Sequence, residues 1–405
     1  MEDGPRIRAL LESDDPLAAE AALWADLRSA GTPLIEPHPD DPDACLVTFL
    51  WYADRPVERV VVNEAVSSLP PESRTLSLAP GTSTWFATWP VKSDVRATYH
   101  FEVFAGSGSE RIGDEHARVR EPHDYSVLGS PESILVCPGA EPLSWADRRP
   151  DTPRGTVTGA VLGDGREVWV YTPPGHDHLA GPLGVLVVLD GQARHSAVTV
   201  LDNLHADGRI APTAAILVGQ LDRNAELTCD AGFSRFLAEE LLPWAREAYH
   251  LTADPAGTVI AGCSLGGLCA AYTGLRHPEV FGNVLMLSGS VWWDPDTLRE
   301  YFQLAGSGPR AIGARSRTPA IIGEYTRAER APIRIYQDVG AFETGPPPAT
   351  PHQIHASRHF RDVLTLKGYD YVYREFAGGH DETWWRSRLG DGLIWLTDPR
   401  GADRG

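Results

Sequence analysis

Residues 258–276 read TVIAGCSLGGLCAAYTGLR, and the way this stretch folds decides the class of the protein. Positions 258–261 form a short apolar run, and positions 265–276 are small and apolar at a length that suits a helix. Between them Gly262 and Gly266 stand two positions either side of Ser264. A strand passing directly into a helix through such a sequence is a nucleophile elbow, a turn so tight that its neighbours must lack bulk. It leaves the serine Oγ projecting from the carboxyl edge of a sheet. Ser264 is then either a nucleophile or a plain hydroxyl in a glycine-rich turn, and its partners elsewhere in the chain decide which.

Around the elbow, apolar β-branched runs alternate with helical segments: GREVWVYTPP, GVLVVLDG, TAAILVGQL, the helix FSRFLAEELLPWAREAY, NVLMLSG and IRIYQDVG. That alternation predicts a mostly parallel sheet with helices on both faces, the α/β-hydrolase arrangement, over residues 151–405. Sites in such sheets form at the carboxyl ends of the strands. Upstream the period changes. Residues 16–29, PLAAEAALWADLRS, space Leu17, Ala21, Trp24 and Leu27 as one face of an amphipathic helix. From about 43 to 125 apolar residues alternate in short segments such as ACLVTFLWYAD and ATYHFEVFA, as in a small Ig-like β-sandwich. A proline-rich and charged passage closes this region, so the expected organisation is helix, sandwich and linker over 1–150 followed by the catalytic domain.

The 405-residue chain carries a formal charge of −19, which argues against nucleic acid and against an anionic membrane surface as partners. Lysine occurs only at Lys92 and Lys367, so almost all positive charge is arginine, whose planar fork suits carboxylate and phenolate oxygens. The five cysteines lack metal-ligand spacing and suit reduced thiols of a cytoplasmic protein. The start MEDGPRIRALLESDDP is acidic with no apolar core, so neither a secretory signal nor a membrane anchor is expected.

A serine hydroxyl needs a base, itself oriented by an acid. In FAGGHDETWWR, residues 376–386, two glycines present His380 on a loop before the last helix, the expected position of the base. The acid belongs just beyond the penultimate strand, where IRIYQDVGAFE offers Glu343, the preferred candidate, and Asp338 as the alternative, with Asp381 third. Charge on the carbonyl oxygen would meet the backbone N–H of Leu265 at the start of the elbow helix and a second from Gly191 or Gln192. His277 reads as a surface or capping residue.

With these residues assigned, the chain resembles the enterochelin (enterobactin) esterase family. The likeness rests on VLDGQ at 188–192, Arg223 with Glu226 and Leu227 in LDRNAEL, EELLPWA at 239–245, the stretch 259–293 ending in GSVWW, and GGHDETWWRSRLGDGLIWL at 378–396. It implies a cytoplasmic serine esterase that opens a catecholate trilactone siderophore to release iron. Ser264 would be the nucleophile and His380 the base, with Trp292, Trp293, Trp385, Arg223 and Arg386 lining the substrate cavity. Aromatic faces and arginines suit a ferric tris-catecholate, although the same tryptophans read equally well as core. No cofactor or protein-bound metal is expected, since iron would arrive with its ligand. The alternative is a carboxylesterase or acyltransferase of secondary metabolism that uses the same machinery.

Overall fold

The computed structural model describes residues 3–64, 71–120, 133–178, 181–295, 318–344 and 353–398. The proline-rich stretch 346–351 lies outside the described residues. Contacts divide the chain into two units, one of Met1–Pro142 with Ala377–Thr383, the other of Leu143–Phe376 with Trp384–Gly405.

In the first unit two helices, α1 (Pro5–Leu11) and α2 (Pro16–Ala30), precede two antiparallel sheets. One has the order β1 (Leu34–Pro37), β2 (Ala44–Tyr52), β5 (Thr84–Lys92), β4 (Ser77–Leu78). The other runs β3 (Arg59–Glu64), β6 (Arg96–Ala105), β9 (Ser133–Val136), β8 (Val119–Arg120), with β7 (Gly108–Ile112) also on β6. β2 is buried on both faces, which the period-two reading of that strand does not anticipate. One face sends Phe49 to Tyr99 of β6 at 4.9 Å between ring centroids, while Leu50 on the other joins Ile7, Leu10, Leu23, Trp24 and Leu27 of the helices.

The face α2 buries is Glu20, Leu23, Trp24 and Leu27, and not the predicted one in part, because Leu17 is 65% exposed. A buried polar network fixes this rotation. Glu20 accepts from Thr84 Oγ1 at 2.6 Å and Ser83 N at 2.8 Å, and Trp24 Nε1 donates to Thr84 Oγ1 at 2.8 Å. A hydrogen bond to a charged group contributes about 1.5–3 kcal/mol, and its loss strands the remaining partners. Glu20→Ala should therefore lower the stability of this unit by about 2 kcal/mol, read as an earlier thermal transition, whereas Leu17→Ala should leave it unchanged.

The second unit is built on an eight-stranded sheet of order β10 (Thr156–Val161), β11 (Glu167–Thr172), β13 (Thr213–Val218), β12 (Gly184–Val188), β14 (Thr258–Cys263), β15 (Asn283–Leu287), β16 (Arg334–Gly340), β17 (Asp370–Phe376). The pairings from β13 to β17 are parallel and the two at the β10 edge antiparallel. Strands β13, β14 and β15 are buried at every position, so they read as continuous apolar runs. The helices are α3 (Ser196–Ala206), α4 (Arg223–Leu227), α5 (Ala231–Phe236), α6 (Leu242–Ala248), α7 (Leu265–Arg276), α8 (Ala320–Arg327), α9 (Gln353–Lys367) and α10 (Glu382–Thr397). The single helix predicted over 233–249 is instead α5 and α6 joined by a π-turn at Leu237–Leu241. Pro243 follows directly, and its missing N–H accounts for the change in hydrogen-bond register.

The division near residue 142 falls earlier than the expected boundary at 150 because Trp145 is anchored in the second unit. Its ring is buried with Leu389 and Leu393 in one core cluster, and its Nε1 donates to Asp391 Oδ1 at 3.0 Å.

Candidate active site

Ser264 sits between β14 and α7 with φ 56° and ψ −122°, a backbone conformation that costs a non-glycine residue about 1–3 kcal/mol. Its surroundings hold it there. Ser264 N donates to Leu287 O at 3.0 Å, and Ser264 O accepts from Ser290 N at 2.8 Å and Leu268 N at 3.1 Å. A Cβ on Gly262 would land on the Gly266 carbonyl, and one on Gly267 would lie 2.7 Å from Gly289 Cα, so neither position has room for a side chain. The elbow inferred from spacing is therefore present. Ser264 is partly exposed among buried neighbours, and its Oγ lies 3.3 Å from Ser290 Oγ.

Leu265 opens α7, and its N–H, in the first turn, has no intrahelical acceptor. Beside it runs the turn after β12, where Asp190 adopts φ 58° and Gly191 is buried with no space for a Cβ against Leu217 and Val218. Asp190 Oδ2 and Leu189 Cβ would each stand 3.5 Å from a Cβ on Gly266, so this turn borders the elbow. Gln192 is exposed on it. Gly191 and Gln192 thus lie on the turn expected to supply the second oxyanion donor.

Arg223, which the family resemblance places in the substrate cavity, is 41% exposed, and its guanidinium grips Asp190, with Nε to Oδ1 at 2.6 Å and Nη2 to Oδ2 at 2.9 Å. Asp190 is 3% exposed, so this arginine compensates a buried charge that anchors the turn. Nearby, Arg166 clamps Glu226 by two bonds of 2.8 and 2.7 Å and holds α4 in place. Sequence reasoning marked Arg223 and Glu226 but not Asp190 or Arg166 as their partners, which lie 33 and 60 residues away in the chain.

Both candidate acids fall at the carboxyl end of β16. Glu343, 3% exposed, accepts through Oε1 from Ser288 Oγ at 2.6 Å and Gly340 N at 2.7 Å. Asp338 is fully buried within the strand. Its Oδ1 accepts from Ser288 N at 3.1 Å, and its Oδ2 has no hydrogen-bond partner among the described residues. Burial pushes the Asp338 carboxyl up to about 8, Arg388 and the Ser288 N–H oppose the rise, and Glu343 and Asp391 add to it. Asp381, the third candidate, accepts from Thr98 N at 3.4 Å. His380 stands on the segment Ala377–Thr383, counted with the first unit, four residues beyond the end of β17 in the chain. His277 caps α7, as expected, with its N–H on Thr273 O.

The remaining predicted cavity residues are largely packed. Trp293 and Trp385 are 7% and 5% exposed within the two cores of this unit, and Trp292 is partly buried against the first. Trp385 donates Nε1 to Ser288 Oγ at 3.1 Å, and Arg194 lies over its ring at 5.1 Å. Arg386 is buried on α10. For Trp293 and Trp385 the core reading, left open by the sequence, is the one their burial supports, because little of either ring is left for a ligand to stack on. Ser288, Ser290 and Gln353 were missed. The available signal was a pair of hydroxyls at the carboxyl end of a parallel strand, in NVLMLSGS.

A raised carboxyl pKa links Asp338 to stability. The folded protein keeps this proton where an unfolded chain, with its carboxyl near 3.8, has released it. The contribution is complete below that ordinary value and disappears as the pH climbs through about 8. Asp338→Asn should consequently gain stability relative to the wild type across this interval, seen as a difference in melting temperature that shifts in the variant's favour between pH 4 and 8.

Comparison with known proteins follows the same lines. The Esterase family model, described as "Putative esterase", matches residues 159–396. An iron(III) enterobactin esterase of Dickeya dadantii is 28% identical, covering 98% of both chains, and an iron(III) salmochelin esterase of Escherichia coli is 27% identical over 92% of both. The crystal structure of a ferric enterobactin esterase from Salmonella typhimurium, 24% identical, aligns with a TM-score of 0.73 over 94% of this chain and all of the other. That of an enterobactin esterase from Shigella flexneri in the presence of enterobactin aligns at 0.71 and 24% identity, over 90% and 96%.

Proposed function

The chain belongs to the esterase family, and from that premise we propose that it is a serine esterase that hydrolyses the trilactone bonds of a ferric catecholate siderophore. The observation that carries this reading is similarity along 98% of the chain to an iron(III) enterobactin esterase, joined by an elbow serine with an acid-bearing strand end in the same sheet. The proposal includes an α/β-hydrolase catalytic region and an N-terminal β-sandwich, supported by the two antiparallel sheets of the first unit and the Phe49–Tyr99 contact between them. A cytoplasmic site of action is part of the same reading. No helix among the described residues is long and apolar enough to cross a membrane.

Ser264 attacks an ester carbonyl while His380 takes its proton, and Glu343 holds the imidazole and stabilises its charged form. The oxyanion of the tetrahedral intermediate meets the Leu265 N–H and a donor from Gly191 or Gln192. Collapse expels the alcohol, protonated by His380, and leaves an acyl-enzyme that water hydrolyses through the same base. Iron enters and leaves with the substrate, and no cofactor takes part. Glu343 is preferred over Asp338 because a carboxyl that keeps its proton to about pH 8 is a poor partner for a cationic imidazole at neutral pH.

Ser264→Ala and His380→Ala should each lower kcat by roughly 10⁴- to 10⁶-fold with the fold retained, and Glu343→Gln should slow turnover far more than Asp338→Asn. Hydrolysis of a panel of ferric catecholate trilactones against simple aryl esters tests the substrate. Rapid cleavage of the small esters with no activity on any trilactone would instead assign a carboxylesterase or acyltransferase of secondary metabolism.

Arg223→Ala probes the turn beside the elbow. Removing the guanidinium leaves Asp190 a buried, uncompensated charge and loosens the backbone that carries Gly191 and Gln192. The expected result is a fall in kcat of about tenfold or more, whereas a residue that only binds substrate would raise KM alone.

A further inference from the structure

Two hydroxyls that the mechanism leaves unused flank Gly289, at the end of β15. Ser288 is held from three sides. Its N–H donates to Asp338, its carbonyl accepts from Gln353 Nε2, and its Oγ lies between Trp385 Nε1 at 3.1 Å and Glu343 Oε1 at 2.6 Å. An indole N–H can only donate, so the Ser288 hydroxyl accepts from Trp385 and must give its own proton to Glu343. Together with the Gly340 N–H this gives Oε1 two donors, which fix how the carboxylate is turned. Ser290, 1% exposed, reaches the nucleophile twice, through its N–H to Ser264 O at 2.8 Å and through its Oγ at 3.3 Å from Ser264 Oγ.

The backbone argues for use of the Ser288 hydroxyl. Ser288 adopts φ 47°, a left-handed conformation in which glycine would be less strained. A side chain kept at such a position at a conformational cost is there for what its atoms contact.

We propose that the turn 288–290 is the positioning element of this hydrolase: Ser288 sets the orientation of the Glu343 carboxylate, and Ser290 sets that of the Ser264 hydroxyl. One rigid turn thereby fixes acid and nucleophile against each other. This inference rests on Glu343 as the acid and not on the identity of the substrate.

The experiment follows Ser264 itself, by its rate of labelling with a fluorophosphonate and by kcat and KM on an aryl ester, in purified full-length protein. Ser288→Gly relieves the backbone but removes the side chain that bonds Glu343 and Trp385, so it should stay folded yet label and turn over about 10- to 100-fold more slowly at unchanged KM. With the carboxylate adrift, the imidazole loses its stabilising charge, and the acidic limb of the kcat/KM profile should move to lower pH. Ser288→Gly combined with Glu343→Gln should be no slower than Glu343→Gln alone, because both act through one interaction. Ser290→Ala should slow labelling about 3- to 10-fold with no movement of the acidic limb.

Wild-type labelling by Ser288→Gly, or losses that multiply in the double variant, would overturn the Ser288 assignment, as would full reactivity of Glu343→Gln. Wild-type labelling by Ser290→Ala overturns the assignment of Ser290. If Ser288→Gly fails to fold, Ser288→Ala deletes the same hydroxyl and is read the same way. Absence of activity on catecholates would refute the substrate reading and leave these labelling results intact.

Discussion

The close approach of α7 to the sheet beneath it is the constraint on which the site depends. Gly262 meets the first turn of the helix, and Gly267 meets Gly289, with no space for a Cβ at either contact. The chain can pass from β14 into α7 only by placing Ser264 at φ 56°, a strain of about 1–3 kcal/mol. Backbone bonds to Leu287 and Ser290 hold it there, and the largely buried strands on either side of β14 oppose any relaxation. Three properties of a hydrolytic site follow from this geometry: an outward hydroxyl, a helix N-terminus with an unspent N–H beside it, and proximity to the turn that carries Gly191.

Two carboxyl groups close to one strand end would repel if both were ionised in a medium of low dielectric constant. The structure separates them by their surroundings. Glu343 receives two donors on one oxygen, while Asp338 retains its proton to about pH 8 and has one oxygen with no partner among the described residues. Ser288 touches both, through its N–H on Asp338 and its Oγ on Glu343, so a single residue carries the division between them.

Elements governed by neighbours in sequence were legible before any coordinates. β14 and α7 fall where the glycine spacing and apolar runs put them, α2 covers the predicted span, and the strands from β12 to β16 match the β-branched runs. What was not legible depends on partners distant in the chain. α2 turned Leu17 to solvent because Glu20 found Thr84, 64 residues away. Arg223 went to Asp190 and Trp385 to Ser288, the latter 97 residues apart. The helix predicted as one piece is interrupted by the π-turn at Leu237–Leu241, just before Pro243, a difference with a local origin.

The sequence by itself determined the class of fold and the position of the elbow serine, because an elbow needs glycines at fixed offsets and a parallel sheet needs unbroken apolar runs, and both are local patterns. Tertiary structure alone decided which hydroxyls, carboxyls and arginines are spent on one another. A buried polar group must find a partner wherever the fold brings one, and for Glu343 that partner, Ser288, stands 55 residues away on a different strand end.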